Sequence, residues 1–134
     1  MTCFSAEYIN FDSNRLKGTI PTQLGSMQHL KELRVSRNNL HGPIPSEIGG
    51  LPWLLELRIG GNKLNTSIPS ELGMCISLKF LGLAFSNLVG TIPPELFNAN
   101  NMEWVYLSDN RLTGTIPSTV GQLGKARMSK FRFI

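Results

Sequence analysis

Cysteine and histidine are nearly missing from this chain, which has two of each in 134 residues. Neither type shows the paired spacing of a metal finger or a redox motif, so no metal or cofactor is expected. His29 and His41 have no acidic or thiol partner at a matching position, and acid–base or nucleophilic chemistry needs one. The stretch "GQLGKA" has the Gly-Lys of a phosphate loop but lacks its upstream glycine spacing and its following Ser or Thr. The chain is therefore expected to be non-catalytic. Long apolar runs are absent too: none reaches the roughly 18 residues of a bilayer span, so no membrane contact is expected of this segment. The opening "MTCFSAEYINFDSN" lacks the basic start and apolar stretch of a signal peptide. Charge of one sign is scarce as well. The nine Lys and Arg of residues 1–124 balance all nine Asp and Glu, and the net +4 lies wholly in Lys125, Arg127, Lys130 and Arg132. A neutral body with a short basic tail lacks the basic, aromatic-lined face of a nucleic-acid binder, so nucleic acid is not an expected partner.

What the chain has in abundance is self-similarity, with a period of 24 residues. "NRLKGTIPTQLGSM" at 14–27 returns as "NRLTGTIPSTVGQL" at 110–123. A polar position runs Asn14, Asn38, Asn62, Ser86, Asn110, followed two residues later by Leu16, Leu40, Leu64, Leu88, Leu112. An Ile-Pro pair recurs at Ile20-Pro21, Ile44-Pro45, Ile68-Pro69, Ile92-Pro93 and Ile116-Pro117. Five copies in register place the repeats over residues 1–124, starting inside a coil, with a degenerate basic tail over 125–134.

Each feature of the unit has a physical task. Apolar residues two apart, as in "ELRVS", predict a short strand with one buried face, and stacked coils would join these strands into a parallel sheet. The Asn ladder at Asn14, Asn38, Asn62 and Asn110 can pair backbone groups in a buried bend; Ser86 can do this only in part. Gly18, Gly42, Gly90 and Gly114 suit a bend with positive φ, and Thr66 breaks that series. Pro fixes φ, and the following Thr22, Ser46, Ser70 and Ser118 are expected to cap a single helical or 3-10 turn on the outer side. Cys3 and Cys75 share one apolar column three coils apart, on the order of 15 Å, too far for a disulfide.

The unit L-x-x-L-x-L-x-x-N-x-L-x-G-x-I-P-x-x-L-G resembles that of plant-type leucine-rich repeats, as found in receptor-like kinases, receptor-like proteins and polygalacturonase inhibitors. The resemblance covers roughly residues 3–123. It implies an α/β solenoid: a right-handed superhelix of about five coils, with a parallel inner sheet and short 3-10 turns outside. Members usually carry disulfide-bearing caps, and none is seen here. The tail "GKARMSKFRFI" keeps Phe131 but has Ala126, Ser129 and Ile134 where Leu, Leu and Asn belong. A fragment of a longer, extracellular or cell-surface protein is therefore expected, with a protein or peptide ligand and co-receptor association as the partners the resemblance implies. In such a protein the Asn65-Thr66-Ser67 sequon would be a glycosylation site.

The register also names the residues that face outward from the sheet. One column runs Tyr8, Glu32, Glu56, Phe80, Trp104; the next Asn10, Arg34, Arg58, Gly82, Tyr106. Further on come Asp12, Ser36, Gly60, Ala84, Ser108, and then Ser13, Arg37, Gly61, Phe85, Asp109. Glu32, Arg34, Glu56 and Arg58 are expected to neutralise one another across strands, or else to clamp an anionic group between the two arginines. Phe80, Phe85, Trp104 and Tyr106 have no core to fill on an open face and are the candidate ligand contact. Two other functions stay open. The same concave face could clasp a secreted cell-wall hydrolase as an inhibitor. The column Thr19, Pro43, Ser67, Thr91, Thr115 could instead be the hydroxyl ladder of an ice-binding solenoid.

Overall fold

The computed structural model describes residues 5–123 and the backbone of residues 131–132. In chain order the strands are β1 (Tyr8–Asn10), β2 (Lys17–Gly18), β3 (Glu32–Arg34), β4 (Asn39–Leu40), β5 (Glu56–Arg58), β6 (Phe80–Gly82), β7 (Val89–Thr91), β8 (Trp104–Tyr106), β9 (Arg111–Thr113) and β10 (Phe131–Arg132). The main sheet is parallel, with strand order β1-β3-β5-β6-β8-β10. Through the first five strands it keeps the period of the sequence: Ile9 pairs with Leu33, Leu33 with Leu57, Leu57 with Leu81 and Leu81 with Val105. Beyond them Phe131 pairs with Val105, two residues later than that period would place the partner, so part of the basic tail extends the sheet. The chain is an α/β leucine-rich-repeat solenoid, one strand per coil.

The core is the stacked apolar columns. Leu33, Leu57, Leu81 and Val105 are fully buried beneath the sheet, with Leu30, Leu54, Leu78 and Met102 beside them and Ile48, Leu72 and Leu96 opposite. Each buried aliphatic side chain stabilises by roughly 1.5–3 kcal/mol. In the first coil Phe11 and Leu16 stay largely exposed, because no earlier described coil covers them.

The outer turns are 3-10 as expected, at Thr22–Ser26, Ser46–Gly50, Ser70–Met74, Pro94–Asn98 and Ser118–Leu123. The expected hydroxyl caps are a correction. No side chain caps the first four turns; Pro21, Pro45, Pro69 and Pro93 hold the cap position in extended backbone. Their carbonyls accept the first turn bond, as from Leu24 N–H to Pro21 O at 3.2 Å. Proline's fixed φ already sets the entry angle, so the hydroxyls turn elsewhere: Ser46 and Ser70 each reach the next glutamate at 3.4 Å.

Glycine is required where these turns stack. A Cβ built on Gly49 or Gly73 would overlap the carbonyl of Glu71 or Glu95 in the next coil. The fourth coil has Phe97 at that position, fully buried, and the turn that follows it is six residues long instead of five.

The Asn ladder works as a relay between coils. Asn38 Oδ1 accepts from Leu16 N–H at 3.0 Å, while its Nδ2 donates to Phe11 O at 2.9 Å and Val35 O at 3.0 Å. Asn62 and Asn110 repeat the pattern. At Ser86 the relay changes hands: Leu64 N–H turns to the Ser86 backbone carbonyl at 3.1 Å, and the hydroxyl reaches only Ala84 O at 3.4 Å. The missing glycine at Thr66 is also absorbed locally, since Asn65 takes the positive φ (+52°) that glycine takes in the other coils. Both departures fall where the minor sheet parts into β2–β4 and β7–β9.

Candidate functional site

In-register stacking sets like against like on the open face: Glu32 lies opposite Glu56, and Arg34 opposite Arg58. Directly opposed like charges destabilise a sheet, so the charges pair along each strand and, at Arg34 and Glu56, on the diagonal. Arg34 Nη2 lies 3.1 Å from Glu32 and donates to Glu56 Oε2 at 3.2 Å. Arg34 Nε sits 2.8 Å from Glu56 Oε1, an ion-pair distance, but is misaligned for a hydrogen bond. Arg58 Nε closes on the same Glu56 carboxylate. The hydrogen bond with Glu56 holds the Arg34 guanidinium above its ordinary pKa.

The ladder does not stop at the charges. The Arg58 guanidinium carbon lies 4.2 Å from the Phe80 ring centroid, a cation–π contact. Phe80 and Tyr106 follow at 5.3 Å, and Tyr106 and Trp104 stack at 6.4 Å with planes 12° apart. These are the separations at which aromatic pairs attract. One continuous line of side chains thus crosses four strands, charged at one end and aromatic at the other.

Beside this line lies a hollow of about 680 Å³. Phe80, Tyr106, Phe85, Arg37 and Arg58 line it, together with Asp12, Ser13 and Ser36 of the first two coils. The small residues Gly60, Gly61, Gly82 and Ala84 also line it. The lining has to be small at Gly60, where a Cβ would come 2.7 Å from Ala84 O. Of the candidate residues, Phe80, Phe85, Tyr106 and Arg58 converge here. Trp104 backs Tyr106 from behind, and Glu32, Arg34 and Glu56 lie along the ladder outside the hollow.

Among the lining residues the sequence did not single out are Arg37 and Gly61. With Ser13, Phe85 and Asp109 they form a column in which all five residues have positive φ, between 55° and 70°. Only Gly61 signals this conformation by its type. Phe85 is a bulky residue in left-handed backbone, which costs of order 1 kcal/mol, and it is 63 % exposed.

Asn65 is exposed at a bend, and its Nδ2 donates to Lys63 O at 3.1 Å. Thr19, Pro43, Ser67, Thr91 and Thr115 are all exposed in one column. Cys75 is buried with its thiol 3.2 Å from Ile48 O, and burial pushes its pKa up to about 11. Cys3 lies outside the described residues. Among the described residues no helix is long and apolar enough to cross a membrane.

The Leucine Rich Repeat family model matches residues 5–27, 29–51, 53–75 and 101–123, passing over the fourth copy. No curated protein sequence matches the chain. Among solved structures it is similar to the plant peptide hormone receptor RGFR1 in complex with RGF2, with TM-score 0.86 and 34 % identity over 87 % of this chain and 19 % of that one. It is similar to the Arabidopsis receptor kinase HAESA, in complex with the peptide hormone IDA and the co-receptor SERK1, with TM-score 0.84 and 39 % identity over 87 % and 20 %. It is also similar to a plant ice-binding protein, with TM-score 0.82 and 33 % identity over 87 % and 38 %. The chain thus spans about a fifth of the two receptor chains.

Proposed function

The chain belongs to the leucine-rich repeat family, and from that premise we propose that it is a non-catalytic recognition module, part of the extracellular region of a plant receptor-like protein, that binds a peptide or protein partner on the open face of its sheet. The observation that carries this reading is the aromatic wall. Phe80, Tyr106 and Phe85 border a hollow of about 680 Å³ that small residues also line, and large apolar groups on an open sheet face mark contact surfaces. Trp104 stiffens the wall from behind, and Arg58 presents charge at its edge. Arg34, already engaged by two glutamates, contributes through Arg58 and Glu56 more than by direct contact. Likeness to receptors solved with peptide hormones and a co-receptor favours a peptide and a co-receptor as the partners; a secreted hydrolase would use the same wall. The test is partner binding by the double variant Trp104→Ala/Tyr106→Ala. Loss by about a hundredfold is expected, and binding that survives intact sinks the placement.

In the extracellular parent Asn65 is the acceptor of an N-linked glycan, since it is an exposed sequon asparagine at a bend. Expression through a eukaryotic secretory pathway should add glycan mass that Asn65→Gln removes.

A second reading is ice binding, favoured by the likeness to a plant ice-binding protein and by the exposed column Thr19, Pro43, Ser67, Thr91, Thr115. Pro43 interrupts the column, and the parted minor sheet divides the surface beneath it. Inhibition of ice recrystallisation that disappears when Thr91 and Thr115 are made bulky would favour this reading over the first; unchanged or absent inhibition would end it.

A further inference from the structure

The neutrality of residues 1–124 hides a separation of charge around the coil, and it carries one inference about the flank that the minor sheet forms. The stretches that turn off the main sheet there are residues 14–20 and their equivalents 38–44, 62–68, 86–92 and 110–116. They hold Arg15, Lys17, Lys63 and Arg111, all exposed, and no carboxylate. The outer turns that follow are the converse, with Glu47, Glu71 and Glu95 exposed and no lysine or arginine at 21–28 or its equivalents. Among the described residues no carboxylate lies in ion-pair range of the four cations on the flank, whereas Lys31, Arg34 and Arg58 are all paired.

The stretches lie side by side. Lys17 pairs with Asn39 in β2–β4, His41 bridges to Lys63, and Val89 pairs with Arg111 in β7–β9. One column runs Arg15, Asn39, Lys63, Asn87, Arg111, so cations and carboxamides alternate from coil to coil. Strands stack about 4.8 Å apart, which puts the cations of this column roughly 10 Å from one another. None of the stretches contains an aromatic residue, so a nucleic acid would find no platform for its bases. A row one side chain wide, charged at every second coil, suits a linear polyanion of regular and widely spaced charge. In a flat β-1,4-linked uronate ribbon each sugar is turned over relative to the last, so every second carboxylate faces the same side. A pair of such sugars is about as long as a pair of strand spacings. Carboxylates then meet Arg15, Lys63 and Arg111, and the hydroxyls of the sugars between them meet the amides of Asn39 and Asn87.

We propose that this flank binds a linear acidic polysaccharide laid across the coils, its carboxylates on Arg15, Lys63 and Arg111 and its hydroxyls on Asn39 and Asn87. The row is separate from the hollow, none of whose lining residues belongs to it. Asn65 is exposed two residues from Lys63, so a glycan there would cover the middle of the row. The polysaccharide is therefore a ligand of the chain without that glycan.

The test titrates the full chain, made in bacteria and so free of glycan, with a cellouronate oligomer (β-1,4-linked glucuronate) and with the uncharged cello-oligosaccharide of the same length. Arg15→Gln/Lys63→Gln/Arg111→Gln removes the row. Lys63→Gln alone is compared with Lys79→Gln, which removes the same charge from an exposed position just before β6. All four side chains are exposed, so an unchanged urea midpoint is expected and shows that the fold is kept. The expected result is binding of cellouronate alone, weakened about tenfold or more by the triple variant and about threefold by Lys63→Gln. Lys79→Gln and Trp104→Ala/Tyr106→Ala should leave it unchanged. The salt dependence should become shallower as cations are removed, because fewer counterions are released. No binding of cellouronate, binding that the triple variant retains, or equal losses on Lys63→Gln and Lys79→Gln overturns the proposal. Single-stranded DNA of the same charge binding as tightly overturns it too. None of these outcomes touches the peptide reading, which stands or falls on Trp104 and Tyr106.

Discussion

In the second and third coils the open face satisfies its own charges: Arg34 pairs with Glu32 along its own strand and with Glu56 on the diagonal, and Arg58 pairs with Glu56 along its strand, so Glu56 is shared between both arginines. In the fourth and fifth coils the same columns carry Phe80, Trp104 and Tyr106, stacked on one another but displayed beside the hollow. The scaffold beneath divides in the same place. The earlier coils keep Asn38 and Asn62 in the ladder and Gly49 and Gly73 in the turns. The fourth has Ser86 and Phe97 instead, and it is the copy that the family model passes over. A repeat array is stabilised by interfaces between neighbours, so one irregular coil is a local cost the regular coils can carry. Displayed aromatics and scaffold departures coincide in the fourth coil.

The sharpest way to break that comparison is to regularise the fourth coil. Phe97→Gly restores the residue of the other four turns, and if regularity were what mattered it would stabilise. Phe97 is fully buried, however, and the turn of the next coil is one residue longer than the others. We expect a loss of about 3–5 kcal/mol, as for other buried phenylalanine deletions, read as a lower urea midpoint. The mirror change, Gly73→Ala, pushes a methyl onto the Glu95 carbonyl and should cost about 1–3 kcal/mol. A neutral result for either would mean that the turns slide freely and that the two regions do not differ in packing.

The second effect in size is a pH dependence from the regular third coil. Burial raises the Cys75 thiol from an ordinary 9.0 to about 11. Below pH 9 the thiol is neutral in both states. Between about pH 9 and 11 only the unfolded chain releases the proton, so stability falls as pH rises through that window, by roughly 2–3 kcal/mol in all. Cys75→Ala, which copies Ala99 one coil on, should flatten this part of the alkaline profile. A wild-type profile equally flat would show that water reaches this column.

Much of the molecule was legible in the chain. Leu33, Leu57, Leu81 and Val105 pair in the order their spacing dictates, because a period of two within a strand and a fixed coil length leave one register that buries them all. The outward columns follow from that register, so the neighbours Glu56, Phe80 and Trp104 could be named in advance. What was not legible depends on backbone conformation that residue type does not announce. Arg37 and Phe85 take a left-handed φ that such residues seldom adopt, enforced by the coils above and below. Likewise Ser46 and Ser70 follow a proline in the pattern of a cap, yet Pro45 and Pro69 leave them nothing to cap.

A smaller effect tests the charged region. Glu56→Gln leaves Arg34 Nε buried beside an uncharged amide and frees Arg58. These pairs are partly buried but open to solvent on the sheet face, so the loss should be about 1 kcal/mol and should shrink with added salt. A loss several times larger would mean that the charged half is as tightly packed as a core.

The smallest expected change is a gain. Ser86→Asn would return a carboxamide to the gap in the ladder, where it can donate toward Ile59 O and Leu83 O as its equivalents do one coil on either side. Leu64 N–H already has a partner in the Ser86 carbonyl, so only the donor side improves, by about 0.5–1 kcal/mol. Phe85 should not feel the repair. Arg37 and Asp109, which precede a true ladder asparagine, already share its positive φ. Ser86→Asn is therefore expected to raise the unfolding midpoint while leaving binding at the Phe85 wall unchanged. If stability rises and binding falls, the serine is part of how the fourth coil displays its aromatic residues, and the coincidence of the two departures has a mechanical cause.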